Sequence, residues 1–312
     1  RVIQIPLEPG LICLRGLSPR RLRFELEYGL ERGTSANSFL FLGQPATDKE
    51  LIGTPAALLV HPPGASFEQP YLEALTALVP AERELQVVVG HVNPNRVALL
   101  HALARHWNKL RLIASNPAAQ LLRELWEQRK PAPPGSAAAE PTDEPRSPLP
   151  PLTIVRGEDS LERPDGYQLT LLSAPTPRWP GGLMAFEQRT GLLMSGKFFA
   201  AHLCTEAWAE ASRSSTEEDR RYFYDCLMAP MARQVEVVLN RVDELPIRTI
   251  APGHGPAIGE SWRSLLTDYR RWGAAQERAK LSVALLFASA YGNTAAIADA
   301  LAQGVARSGV RV

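Results

Sequence analysis

Val87–Arg96, VVVGHVNPNR, runs from three β-branched residues through a glycine into a cluster of polar side chains. The run reads as the end of a buried strand, and the polar cluster as the loop it delivers. His91, Asn93, Asn95 and Arg96 stand at the spacing H-x-N-x-N-R. An extended chain presents alternate side chains to one side, so His91, Asn93 and Asn95 can converge on one point.

Working outward, residues 1–62 alternate apolar runs with Gly and Pro: VIQIPL, LICLRGL, LRFELEY, SFLFLG and ALLVHPP. They read as successive strands of an antiparallel meander, with Gly33–Ser38, GTSANS, as a turn before a strand beginning at Phe39. Such a start suits a four-layer αββα sandwich, two sheets packed face to face between helices. Tyr71, Leu72, Leu75 and Leu78 then fall on one face of a helix within Phe67–Val79. After the His91 loop come an amphipathic helix over Ala98–Trp107, a short buried strand LRLIAS and a helix from Asn116, opened by Asn-Pro, to Lys130. Residues 131–151, PAPPGSAAAEPTDEPRSPLPP, hold eight prolines and almost no large apolar residue. They cannot bury enough surface to offset ordering entropy and read as a disordered insertion within the domain. Strand candidates LTIVRG and YQLTLLSA follow, then a hairpin, LMAFEQRTGLLM, turning at Arg189–Gly191. Ser215–Leu245 is helical, with Pro230 marking a break or a second helix, IRTIAP is a buried strand ending at the His254 turn, and Glu260–Arg278 is a helix. From Leu281 the order is strand LSVALLFA, loop SAYGNT, helix from Thr294 to about Ser308, and a further strand opening at VRV. That is the grammar of a doubly wound fold.

A chain of 312 residues, 45% hydrophobic, can bury a large core, and its formal charge of +1 gives no reason to expect nucleic acid as a partner. No 18-residue apolar span and no signal-type N-terminus is evident, so no membrane insertion and a cytoplasmic location are expected. Cys13, Cys204 and Cys226 are odd in number and widely spaced, which suits reduced core thiols.

These segments together resemble the flavodiiron branch of the metallo-β-lactamase superfamily. In that family the first turn reads H-x-E-x-D-H and begins a binuclear metal site. Ser173–Pro180, SAPTPRWP, resembles the segment with the next histidine. Met194–His202, MSGKFFAAH, resembles the segment of the bridging aspartate, and Ala251–Pro256, APGHGP, the final histidine turn. Leu281–Thr294, LSVALLFASAYGNT, resembles the first strand and FMN phosphate loop of a flavodoxin. The resemblance implies a metallo-β-lactamase-like domain over 1–275 and the start of a flavodoxin-like FMN domain over 276–312, whose missing βα units make the sequence read as a fragment. It is most similar to the photosynthetic, cyanobacterial type. That implies an NAD(P)H- and flavin-dependent oxidoreductase that reduces oxygen to water, and a homodimer or a hetero-oligomer with a ligand-complete paralogue.

Carried over position by position, the resemblance leaves only His91 and His254 as ligands. Asn93 stands for the glutamate, Asn95 for the aspartate, Arg96 and Arg178 for histidines, and Lys197 for the bridging aspartate. Three carboxylates give way to three cations, and arginine offers no lone pair. No di-iron centre is therefore expected, and no residue is assigned a catalytic role. Two readings of the pocket stand side by side: Arg96, Arg178 and Lys197 bind an anion such as chloride, sulfate or phosphate, or they pair with nearby carboxylates or solvent. His61, His101, His106 and His202 have no ligand spacing and read as surface or packing residues. Ser289, Tyr291, Asn293 and Thr294, with Gly292 shaping the turn, would hold an FMN phosphate at the start of a helix. A scaffold or regulatory role is the competing functional class. A hydrolase on the same fold lacks a Ser-His-Asp or Cys-His grouping.

Overall fold

The computed structural model describes residues 1–21, 23–24, 28–43, 55–127, 147–278, 283–289, 293–308 and 310. In chain order the strands and helices are β1 (Val2–Glu8), β2 (Leu11–Ser18), β3 (Arg23–Phe24), β4 (Tyr28–Gly29), β5 (Thr34–Phe41), β6 (Ala57–Val60), α1 (Glu68–Thr76), β7 (Leu85–Val88), α2 (Pro94–His106), β8 (Leu110–Ser115), α3 (Asn116–Glu127) and β9 (Leu152–Val155). Then come β10 (Glu158–Glu162), β11 (Gln168–Ser173), β12 (Leu183–Glu187), β13 (Leu192–Gly196), α4 (Glu217–Phe223), α5 (Ala232–Asp243), β14 (Thr249–Pro252), α6 (Trp262–Arg278) and α7 (Asn293–Arg307). Among the described residues, no helix is long and apolar enough to cross a membrane.

Seven strands form one sheet in the order β1-β2-β5-β6-β7-β8-β9, and five form a second in the order β10-β11-β12-β13-β14. Strand alternation assigns each side chain to one face. In β5 and β6, Phe39, Phe41, Leu58 and Val60 face the second sheet, where they meet Leu169, Leu171, Ala185 and Met194. Their neighbours Leu40, Leu59 and Ala57 face the other way, against Leu75 of α1, Leu99 and Leu103 of α2, and Leu122 of α3. The outer face of the second sheet, with Met184 and Phe186, is covered by Val235 and Leu239 of α5 and Leu265 and Tyr269 of α6. The result is the four-layer αββα sandwich.

Local departures from the sequence reading have physical causes. GTSANS is not a turn: Thr34–Ser38 lie inside β5 and pair in register with β2 from Ser18↔Thr34 to Leu14↔Ser38. Turn-favouring residues are held in a strand because their side chains find buried partners. Ser35 Oγ donates to Leu203 O at 2.9 Å, and Asn37 Nδ2 donates to Pro252 O and Gly255 O at 2.8 Å. Of LRFELEY, the described residues Arg23–Phe24 and Tyr28 belong to β3 and β4, which pair with each other and, among the described residues, not with the seven-stranded sheet, where β2 already lies between β1 and β5. Pro230 breaks the helical segment as expected. It sits in a short turn, Ala229–Met231, between a π turn at Tyr224–Met228 and α5.

Residues 131–146 of the Pro-rich stretch lie outside the described residues. On its far side β9 joins the first sheet beside β8, Ile113 opposite Thr153. Beyond α6, Val283–Ser289 carry no strand, contrary to the expectation for LSVALLFA. A strand needs a hydrogen-bonded neighbour, and none lies beside this run among the described residues. The helix that follows is present as α7, with Ile297 and Leu301 more than half exposed. The strand expected at VRV lies outside the described residues apart from Val310. All three cysteines are free thiols, and burial pushes the Cys13 thiol up to about 12.

Candidate functional site

Two pairs of parallel strands, one pair in each sheet, aim their carboxyl ends at the same space: β6 beside β7, and β13 beside β14. In sheets of this kind, loops at the carboxyl ends of strands carry the ligand sites. His61 follows β6, His91 follows β7, Gly196 ends β13 and leads into Lys197, and Gly253 and His254 follow β14. The loops are stitched together by backbone bonds, His61 N to Val88 O at 3.0 Å, Leu183 N to Gly90 O at 3.0 Å and Gly253 N to Gly196 O at 2.6 Å. Close approach demands glycine at position 90, where a Cβ would meet His61 Cδ2 at 2.4 Å.

The loops enclose a cavity of about 270 Å³ whose wall includes His61, His91, Asn93, Asn95, Arg96, Lys197 and His254. Arg21 also lines it, and among the described residues no carboxylate does. The anion trio is only partly assembled: Arg96 and Lys197 are in the wall, whereas Arg178 is not. Arg178 and Lys197 instead share the indole of Trp179, with Cζ 5.6 Å and Nζ 5.5 Å from the ring centroid. An aromatic face attracts a cation placed over it.

Asn93 has a structural task. It is the N-cap of α2, with Pro94 in the first turn, and its side chain accepts a hydrogen bond from Arg96 N at 2.8 Å. Asn95 is exposed on the first turn of α2, with Nδ2 3.5 Å from Ser66 Oγ.

Four buried histidines surround the cations. His254 Nδ1 donates to Ser35 O at 2.9 Å, which leaves Nε2 as the acceptor nitrogen. His202 lies behind it, ring centroids 4.9 Å apart, with Nδ1 2.9 Å from Thr34 Oγ1. His91 meets Trp179 edge to face at 6.4 Å. Burial holds the imidazolium forms of His91, His202 and His254 well below the usual range, helped by Lys197 in each case and by Arg96 at His91 and His254. Burial, then Arg96, brings His61 down to about 3. All four are therefore neutral at pH 7. Among the described residues, no three His, Cys, Asp or Glu side chains are grouped so as to hold a metal ion.

Two buried networks fix the loops from behind. Arg15 Nε donates to Asn37 Oδ1 at 2.8 Å and its guanidinium also holds Ala207 O, while Asn37 grips the 252–255 turn. Arg220 pairs with Glu210 at 2.9 Å, donates to Pro256 O at 3.1 Å and holds Phe199 O. His61 and Arg21 were not foreseen as wall residues, and His202 was not foreseen behind it. The usable signal for His61 was the β6–α1–β7 order, which puts the ends of both strands at the same edge of the sheet. In the proposed flavin loop, Ser289 Oγ is buried with no hydrogen-bond partner among the described residues, and Asn293 and Thr294 open α7. Tyr291 and Gly292 lie outside the described residues.

With the sandwich and its strand-end cavity in view, the comparisons fix the family. Residues 49–255 match the ODP family beta lactamase profile. The chain belongs to this family, as a flavodiiron (diflavin flavoprotein A) member with a metallo-β-lactamase-like core. It is 38% identical over 308 residues to diflavin flavoprotein A 6 of Nostoc sp. PCC 7120, covering 99% of this chain and 49% of that protein. To diflavin flavoprotein A 4 of Synechocystis sp. PCC 6803 it is 39% identical over 316 residues, covering 100% of this chain and 48% of that one. Among solved structures it is similar to the metal-soaked Flv1 flavodiiron core from Synechocystis sp. PCC6803, at a TM-score of 0.79 and 36% identity over 100% of this chain and 70% of that one. The chain spans about half the length of the curated relatives it matches.

Proposed function

We propose that this chain is the core of a flavodiiron oxidoreductase subunit whose own metal pocket holds an anion in place of two irons. The carrying observation is the cavity wall, where Arg96 and Lys197 stand at positions that the family resemblance gives to metal ligands. The donor set does not fit a pair of irons. Asn93 spends its side-chain oxygen on the α2 cap, and Arg96 and Lys197 stand where ligands would have to be. A unit charge about 4 Å from a like charge costs roughly 4 kcal/mol at an effective dielectric near 20, and twice that for a divalent ion. The same arithmetic with the sign reversed favours a small anion between Arg96 and Lys197. Arg178, stacked on Trp179, contributes at longer range.

The whole protein would act as an NAD(P)H- and flavin-dependent reductase of oxygen to water in the cytoplasm. Oxygen chemistry would take place at a ligand-complete paralogue in a hetero-oligomer, with a homodimer as the alternative assembly. Ser289, Asn293 and Thr294 would hold the phosphate of FMN, which supplies the electron relay when bound. Support for this comes from the Ser289 hydroxyl, buried without a hydrogen-bond partner among the described residues, four positions ahead of the first residue of the fifteen-residue helix α7. Two measurements test the reading. Purified protein incubated with ferrous iron is expected to retain a substoichiometric amount by elemental analysis, and two irons per chain with rapid oxygen uptake would refute it. Bromide-soaked crystals are expected to show an anomalous peak between Arg96 and Lys197, and an empty map there would remove the anion.

A further inference from the structure

Two residues other than glycine hold a positive φ among the described residues, His61 at 59° and Phe199 at 61°. Both border one stretch of the cavity wall, Gly196–Lys197. A Cβ built on Gly196 would meet His61 Cε1 at 3.3 Å, and Phe199 stands two positions beyond Lys197. Backbone strain gathered in one place marks a site where the surrounding structure forces a conformation that local preference opposes.

The turn that carries Lys197 begins and ends in the left-handed region. At its start the sequence supplies glycine, Gly196 at φ 62°, which adopts that region without steric cost. At its end stands phenylalanine, for which the conformation is a steric outlier, so neighbouring groups must impose it. Those groups reach the turn from the helical layer behind the wall. Phe199 N donates to the Tyr269 hydroxyl of α6 at 3.1 Å, and Phe199 O is held by the Arg220 guanidinium of α4. The fully buried Phe199 ring lies 4.9 Å from that of Tyr269. The remaining bonds of the turn, Ser195 Oγ to Phe198 O at 2.8 Å and Phe198 N to Ser195 O at 3.2 Å, are local to it.

We propose that the Gly196–Phe199 turn is a strained strap with Lys197 as its moving part. Tyr269 and Arg220 hold it closed, with Lys197 in the cavity wall. Release of the Phe199 N–H from the Tyr269 hydroxyl lets the backbone relax to negative φ and withdraws Lys197 from the wall. The strap thereby regulates the charge of the cavity, since Lys197 is one of the cations lining it. This rests on the geometry of the turn and not on what the cavity binds.

The test reads Lys197 directly. In the closed strap it is 6% exposed, whereas Lys109 is exposed and serves as an internal reference. The 312-residue chain is acetylated briefly with an N-hydroxysuccinimide ester, and labelling of the two lysines is compared by mass spectrometry. Tyr269→Phe keeps the ring and removes the hydroxyl. It is expected to raise Lys197 labelling relative to Lys109 roughly fivefold to tenfold, the equilibrium worth of one buried hydrogen bond. Leu75→Ala opens a cavity on the far side of the first sheet, in a different part of the core, and is expected to leave the ratio unchanged. An unchanged ratio in Tyr269→Phe would overturn the strap. So would an equal rise in Leu75→Ala, because labelling would then follow global unfolding. Hydrogen exchange on the unsubstituted chain needs no variant: the Phe199 amide is expected to exchange through a local opening that low urea does not change. Exchange that tracks global unfolding would also overturn the strap.

Discussion

Acidification is the perturbation to which this site is built to respond. His61, His91, His202 and His254 are buried and neutral, and each imidazolium form is held below the ordinary 6.5, in the case of His61 at about 3. Among the described residues, the charged groups in the cavity wall are Arg21, Arg96 and Lys197, and cations oppose protonation of the histidines beside them. The unfolded chain takes up protons at these histidines as pH falls through 6.5, and the folded chain does not. Stability is therefore full above that pH and declines below it, until the native imidazoles themselves titrate. Each group loses about 1.4 kcal/mol per pH unit below 6.5, so at pH 5.5 the four together remove roughly 6 kcal/mol. That is a large share of the roughly 5–15 kcal/mol that holds a domain folded. Urea unfolding followed by tryptophan fluorescence at pH 7.5, 6.5 and 5.5 measures the loss. A decline smaller than one histidine's share, about 1.4 kcal/mol, would refute the picture of four neutral buried imidazoles.

Asn93→Ala removes the α2 cap and is expected to lower stability by about 1 kcal/mol in urea unfolding, without altering iron content. Glu210→Ala leaves the buried Arg220 guanidinium without its counter-charge and is expected to cost about 3–5 kcal/mol by the same measurement, the larger effect because a charge is stranded. Restoring the family's ligand set with N93E, N95D, R96H, R178H and K197D, keeping His91 and His254, is expected to give a chain that takes up iron by elemental analysis. If it stays metal-free, the substituted side chains are not what excludes the metal.

Much of the fold could be read in advance because strand and helix periods follow burial directly. β6, β7, β8, β12 and β13 are apolar runs in the sequence and strands in the structure. β5 was half missed because Thr34, Ser35, Asn37 and Ser38 satisfy their polar groups through partners more than twenty residues away, and local propensity cannot register such partners. The Val283–Ser289 run failed as a strand for the converse reason: its apolar pattern is right, but a strand exists only through its neighbour. At the site, motif spacing located Arg96, Lys197, His91 and His254 around one cavity. It could not foresee that Arg178 would lie outside the wall, against the Trp179 indole, since that depends on how one turn packs on another. Nor did spacing find His61, which is adjacent to His91 through the sheet and not along the chain.

The ties made by Arg15 with Asn37 and by Arg220 with Glu210 have a consequence for biogenesis. In many metalloproteins the ion itself pulls the ligand loops into shape, so apoprotein accumulates half-formed when the nutrient runs short. If the pocket holds no iron, as proposed, these guanidinium clamps take over that work, and a chelator in the refolding buffer is expected to leave the yield of native chain unchanged.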